Sequence, residues 1–317
     1  MSNVHHQRWL QRPLRVLFFG SRCRLSTRPL QALLEAGVHV AAIVIPATRF
    51  SGDRLPPIRQ RSPLLLVAPR GALELEQLAS THHLPILEAR TVHAEPVTAV
   101  LSSLEVDVIV VSCFPWRIPD ELIASAPLGG LNLHPSALPA YRGPDPLFWI
   151  YRHGRLRTGV TVHQLTAELD AGPIVEQRTF DVPLALPGDR LEELVASIGA
   201  RLLVRAVDAA YRGRAEARPQ PRERGHYFSW PKDDDLVIEP CWKAWRAGHF
   251  ISGVVPLGYR PVYLDHQGRR TAIRRLLRWC RNEAEALARS GPGSSVLSLV
   301  DGALLVEEDP SGRASTH

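Results

Sequence analysis

The first two thirds of the chain alternate between short apolar runs and stretches of helical period. Residues 14–19 form an apolar run closing on Gly20-Ser21 and predict a buried strand. Ser26 and Pro29 predict the start of a helix whose buried face is Leu30, Leu33 and Leu34, and Gly37 stops it. Residues 38–45 predict the next strand, giving the strand, helix, strand unit that builds a parallel sheet. Residues 46–71, with Pro46, Arg49, Arg54, Pro56, Pro57, Arg59, Arg61 and Pro63, read as a long loop. Helical spacing returns at Leu73, Leu75, Leu78 and Ala79, and again at Val97, Val100, Leu101 and Leu104, with a short strand at 85–87 between them. Residues 107–111 predict a buried strand, 112–119 a loop carrying Phe114 and Trp116, and 119–125 a helix.

A further apolar run ends at Leu133. Pro135 has no N–H and biases His134 to an extended backbone, so the histidine is expected at a strand tip. Asp145 and Pro146 predict a short helix through Phe148, Trp149 and Ile150, residues 158–165 alternate as another strand, and 168–173 form its turn. The longest helix is expected from Asp189 to about Tyr211, with Leu191, Leu194, Val195, Ile198, Leu202 and Leu203 as its stripe and Gly213 as its end. Residues 214–224, with Pro219 and Pro221, read as a linker. Beyond them the segments 260–265, 271–276, 295–299 and 303–307 are short and turn-rich, predicting a small β domain. The boundaries are then a tail at 1–13, an α/β domain at 14–213, the linker, a β domain at 225–309 and a tail at 310–317.

Composition narrows the class. A chain of 317 residues, 45% apolar and 22% charged, can bury a full core, and no apolar run nears the roughly 20 residues of a membrane helix. The first dozen residues lack a signal-peptide core, so cytoplasm is the expectation. Cys23, Cys113, Cys241 and Cys280 are widely spaced, which excludes a zinc knot or a disulfide framework as the organising device, and no metal site is expected. The net charge of +6 is carried almost wholly by arginine, with only Lys232 and Lys243 as lysines; that permits an anionic partner without specifying one. No Gly-x-Gly-x-x-Gly follows the first strand, so a dinucleotide fingerprint is absent and nicotinamide chemistry loses its best support.

The chemistry-bearing positions gather around the strand tip. Asn132 and His134, two apart in a strand, share one face, so an amide and an imidazole emerge side by side. Asp170 in the later turn is the third candidate. Ser136 has no Gly-x-Ser-x-Gly elbow and is read as a loop hydrogen-bonder. His5, His6, His82, His83 and His163 have no partner at metal-ligand spacing and receive no role.

Four blocks taken in order, Asn132-x-His134-Pro135-Ser136, the Leu-Pro-x-Tyr-Arg-Gly loop at 138–143, Thr158-Gly159-Val160-Thr161 and Leu169-Asp170-x-Gly172-Pro173, resemble the folate-dependent formyltransferase family. The resemblance implies a Rossmann-like, mostly parallel sheet followed by a smaller β-barrel-like (OB-like) domain, similar to the one in methionyl-tRNA formyltransferases. It implies an enzyme moving a formyl group from 10-formyltetrahydrofolate to a primary amine, with Asn132 as oxyanion donor, His134 as donor or proton shuttle, and Asp170 favouring and orienting the imidazolium.

The same resemblance places the pterin against Ser112, Cys113, Phe114, Trp116 and Ile118 and the Leu165–Leu169 side, and places the acceptor near Tyr141, Arg142 and Asp145. Phe114-Pro115 stands where many relatives carry Tyr-Gly. The Tyr141–Phe148 loop resembles that of members that formylate small amines, so the resemblance implies a small acceptor, an amino-sugar nucleotide or amino acid derivative. The alternative is an initiator aminoacyl-tRNA, for which Arg49, Arg54, Arg59 and Arg61 would meet phosphates. Hydrolysis of the same folate, and a folate- or RNA-binding regulator on this fold, are the remaining alternatives.

Overall fold

The computed structural model describes residues 13–47, 64–67, 74–93, 95–221 and 225–310. Arg49, Arg54, Arg59 and Arg61 lie outside the described residues. The strands are β1 Arg15–Gly20, β2 His39–Pro46, β3 Leu64–Val67, β4 Ile86–Ala89, β5 Val108–Ser112, β6 Gly130–His134, β7 Arg157–Gln164 and β8 Ile174–Asp181, then β9 Val237–Ile238, β10 Val262–Leu264, β11 Arg270–Cys280, β12 Ser294–Leu299 and β13 Gly302–Glu308. The helices are α1 Arg24–Glu35, α2 Glu74–Thr81, α3 Glu95–Ser102, α4 Asp120–Ser125, α5 Pro146–Arg152, α6 Gly188–Tyr211, α7 Ala244–Val254 and α8 Glu283–Leu287.

The first eight strands form one sheet in the order β3-β4-β2-β1-β5-β6-β7-β8. Its middle pairs parallel, β4 to β2, β2 to β1, β1 to β5 and β5 to β6. β3 runs antiparallel to β4, and β7 antiparallel to β6. All five residues of β5 are buried, as expected of a central parallel strand covered on both faces. One core cluster joins Leu17, Phe19, Val44, Ile109, Val111 and Leu122. The remaining strands form a second sheet, β12-β13-β11-β10-β9, antiparallel except for β9 and β10.

The chain divides into two compact units interleaved in sequence. One holds residues up to Arg142, Gly159–Arg178 and Val195–His226; the other holds Gly143–Thr158, Thr179–Leu194 and the residues from Tyr227 onward. Residues 214–221 of the segment read as a linker are tied into the first unit: Arg218 and Ile174 exchange both backbone hydrogen bonds, at 2.8 and 2.9 Å.

Three local departures from the sequence reading have physical causes. The segment 46–71, read as a long loop, contains β3, an edge strand of four apolar residues antiparallel to β4. Helix α1 begins at Arg24 and carries Pro29 inside it. Pro29 has no N–H for the Leu25 carbonyl one turn earlier, and the Ser112 hydroxyl donates to that carbonyl instead, while Ser112 O accepts from Ser26 Oγ at 2.6 Å. Helix α7 escapes the pattern because Gly248 and Gly253 interrupt it. Both are needed for packing: a Cβ at Gly248 would lie 2.3 Å from the Trp279 ring, and one at Gly253 2.1 Å from that of Tyr151.

Candidate active site

β6 delivers the strand tip the sequence anticipates. Asn132 and His134 lie on the same face, and the antiparallel register sets Asn132 directly opposite His163 on β7. An amide and two imidazoles are thereby brought together by two adjacent strands. The turn after β7 adds Asp170, held in the left-handed region at φ 54°.

The hydrogen bonds fix the chemical state of each group. His163 Nδ1 lies 2.9 Å from the Gln164 carbonyl, which can only accept, so the proton sits on Nδ1 and Nε2 accepts from Asn132 Nδ2 at 3.0 Å. Asn132 Nδ2 also donates to Asp170 Oδ1 at 3.2 Å. Because a carboxylate only accepts, this contact assigns which end of the amide is nitrogen. Both amide hydrogens are therefore engaged, one by His163 and one by Asp170.

His134 is 4% exposed. Its Nε2–H donates to the Tyr141 carbonyl at 2.7 Å, so the neutral ring presents a lone pair at Nδ1, 3.5 Å from Asp170 Oδ1. Burial depresses the His134 pKa below the ordinary histidine value; Asp170 and the Tyr141 carbonyl push it up, and His163 pushes it down. The sequence reading had Asp170 favouring the imidazolium. The carboxylate does act in that direction, but desolvation outweighs it and favours the neutral ring.

The loops around this cluster are anchored in detail. Thr161 Oγ1 donates to Ser136 O at 2.7 Å and accepts from Leu138 N–H at 3.1 Å, fixing the chain as it leaves β6. Ser136 is buried and donates to Ala140 O at 2.6 Å, which is loop hydrogen bonding. Gly172 lies so near the Gln164 carbonyl that a Cβ would sit 1.8 Å from its oxygen. Next to the turn, Arg142, Thr166, Glu168, Pro173, Pro219 and Gln220 contribute to a groove of about 290 Å³.

The other sequence-nominated residues fall in several places. Ser112 is buried and bound to the first turn of α1. Cys113 follows it, exposed, at φ 58°. Phe114 stands edge-on to Phe19 at 5.1 Å and to Trp116 at 5.3 Å. Ile118 is in the core, Leu165 packs partly against it, and Leu169 is 44% exposed. Tyr141 offers its carbonyl to His134, and Arg142 is buried against Gln220.

Asp145 belongs to the second unit, where it caps α5 by accepting from Phe148 N–H at 3.3 Å and also accepts from the Tyr259 hydroxyl. Sequence reasoning missed His163 and Gln220. The only signal for His163 was its place in the alternating segment 158–165; Gln220 sits in a proline-rich stretch that reads as connection.

Among the described residues no group of three or more His, Cys, Asp or Glu side chains is placed to hold a metal ion, and no helix is long and apolar enough to cross a membrane. Comparison with known proteins gives the family. Residues 14–207 match the family model described as formyl transferase. The chain belongs to the formyltransferase family. A methionyl-tRNA formyltransferase of Chloroflexus aurantiacus is 34% identical over 227 residues, covering 71% of this chain and 68% of the relative. One from Pelobacter propionicus is 28% identical over 92% of this chain and 87% of its own length.

Among solved structures, an N-formyltransferase from Helicobacter canadensis, in complex with folinic acid and dTDP-3-aminofucose, superposes with a TM-score of 0.62 at 16% identity, covering 92% of this chain and 98% of that one. HypX from Aquifex aeolicus superposes with a TM-score of 0.60 at 16% identity, covering 93% of this chain and 45% of that one. These two likenesses establish that this formyltransferase shares their fold.

Proposed function

We propose that this formyltransferase moves a formyl group from 10-formyltetrahydrofolate to a primary amine, with Asn132, His134 and Asp170 as its catalytic residues. The observation that carries the reading is the His134–Asp170 pair: with Nε2–H given to the Tyr141 carbonyl, the Nδ1 lone pair of His134 lies 3.5 Å from an Asp170 carboxylate oxygen. Such a pair suits an ammonium group, which donates to both acceptors and gives up a proton to Nδ1 as it becomes nucleophilic.

The folate supplies an activated formyl group. Asn132 offers Nδ2–H to the formyl oxygen by exchanging one of its two present acceptors, and His163 holds the amide so that this hydrogen stays aimed at the site. Asp170 stabilises the imidazolium once the proton has arrived, and Nδ1–H of His134 would return that proton to the departing folate nitrogen as its bond to the formyl carbon breaks and the bond to the amine is complete. The Phe114 and Trp116 rings, both partly buried, offer walls for a flat ligand.

For the acceptor, the reading with most support is a methionyl-tRNA. The relatives at 34% identity carry that activity in their names, and β11 exposes Arg270 and Arg278 together with Arg274 and Arg275, the last two paired with Glu307 at 3.3 and 2.6 Å, a basic strand that suits phosphates. A small amine is the second reading, resting on the Tyr141–Phe148 loop. Its strongest element is weakened by the structure, since the Asp145 carboxylate already serves as a helix cap and accepts from Tyr259. Incubating the enzyme and 10-formyltetrahydrofolate with methionyl-tRNA, and separately with a dTDP-linked amino sugar, distinguishes the two. Product with neither amine but formate release with both would favour hydrolysis.

A further inference from the structure

Gln220 is 7% exposed, and every hydrogen-bonding capacity of its side chain is used. Oε1 accepts two bonds from the Arg142 guanidinium, from Nε at 3.1 Å and Nη2 at 2.8 Å. Nε2 donates two, to the Asp170 carbonyl at 2.8 Å and to the Gly172 carbonyl at 2.7 Å. The amide therefore ties together the two loops that hold the reacting pair. On one side is Arg142, bonded in sequence to Tyr141, whose carbonyl anchors His134. On the other is the backbone of Asp170 itself.

Tyr141 at φ 60° and Asp170 at φ 54° both sit in the left-handed region. For residues other than glycine that conformation costs on the order of 1 kcal/mol or more and persists only where neighbours enforce it. Two residues before Gln220, Arg218 is held by two-way backbone pairing with Ile174, and Arg142 is anchored besides by its N–H donating to His226 O at 3.2 Å.

We infer that Gln220 is a positioning residue for formyl transfer: its carboxamide sets the separation and alignment of His134 and Asp170 by bridging Arg142 to the Asp170–Gly172 backbone. The inference rests on the proposed roles of His134 and Asp170. The titratable groups facing His134 are Asp170 and His163. Of these only Asp170 raises its pKa, so loosening Asp170 lets burial and His163 carry the imidazole further down.

The test is Gln220→Met, which fills the same space and makes none of the four hydrogen bonds. In the free full-length protein with labelled histidine, the His134 signal is assigned by its loss in His134→Gln and followed by NMR through a pH titration. The expected result is a His134 midpoint displaced to lower pH. In formyl transfer from 10-formyltetrahydrofolate, kcat falls on the order of 10²-fold with the donor KM little changed, as for misplacement of about 1 Å.

An undisplaced midpoint overturns the inference, because a role confined to anchoring the segment would lower stability without altering the titration of His134. If Gln220→Met does not give the native circular dichroism spectrum, Gln220→Asn, one methylene too short to span both loops, carries the same expectation. His134→Gln separates the two levels. Retained turnover in that variant refutes the proposed reaction roles, whereas its loss together with an undisplaced midpoint in Gln220→Met refutes only the role of Gln220.

Discussion

Replacing Asp170 with asparagine isolates the carboxylate charge from its shape. The amide keeps an oxygen where Asn132 Nδ2 now donates at 3.2 Å, and asparagine is among the residues that tolerate the left-handed backbone found at φ 54°. What disappears is a negative charge 3.5 Å from His134 Nδ1. At the effective dielectric suited to partly buried pairs, unit charges about 4 Å apart interact by about 4 kcal/mol. This attraction exists only while the imidazolium is present, so it acts on the proton-bearing stages of the reaction rather than on binding.

At roughly 1.4 kcal/mol per decade, Asp170→Asn is expected to lower kcat by about 10³-fold. KM for the folate should change little, and the thermal midpoint should hold or rise, because a partly buried anion has been removed. Asp170 raises the pKa of His134, so its loss moves the acid limb of the kcat profile to lower pH. Steady-state kinetics across pH, with a melting curve on the same preparation, provide the assay. A rate within about three-fold of wild type, or an acid limb moving upward, would refute the role given to the charge.

Gly172→Ala should open the Asp170 turn, since its Cβ would meet the Gln164 oxygen at 1.8 Å; a stability loss of about 1–3 kcal/mol and weakened turnover are expected in denaturant titration and rate assays. Ser112→Ala removes the donor to the Leu25 carbonyl that Pro29 leaves without a helical partner, and chemical denaturation should show a loss of about 1–3 kcal/mol. His249 is fully buried, accepts from Ala185 N–H at 3.0 Å and has its pKa depressed by burial. The unfolded chain therefore binds a proton that the fold resists. Stability from this group is complete above the ordinary value of about 6.5 and is lost as pH falls below it, so melting temperatures should drop on acidification, and less steeply in His249→Gln.

The strand tip was legible because Pro135 ends the ladder immediately after an alternating Asn132 and His134, a purely local signal. Asp170 came from a family pattern, since nothing local joins a turn residue to a strand in another part of the chain. His163 was passed over because its importance lies in antiparallel register: only pairing of β6 with β7 sets it opposite Asn132. Gln220 was hidden by its prolines, which read as linker although the segment pairs with β8. The same limit explains β8, a polar edge strand of weak alternation, and α7, whose two glycines serve Trp279 and Tyr151 rather than the helix.

Asp145 carried two expectations, the start of a helix from its place before Pro146 and an acceptor contact from the resemblance; the structure shows it capping α5 and accepting from Tyr259.

The central claim is that His134, with Asp170 stabilising its charged form, receives the proton of an amine while Asn132 holds the formyl oxygen. It is tested most directly by following the carbon itself: a single turnover of 10-formyltetrahydrofolate carrying isotope in the formyl group, with and without methionyl-tRNA, in the wild-type enzyme and His134→Gln. The account predicts label on the amine in the wild type alone, and donor left intact where the amine is withheld. Label appearing as formate without an amine, or transferred equally well by His134→Gln, would contradict it.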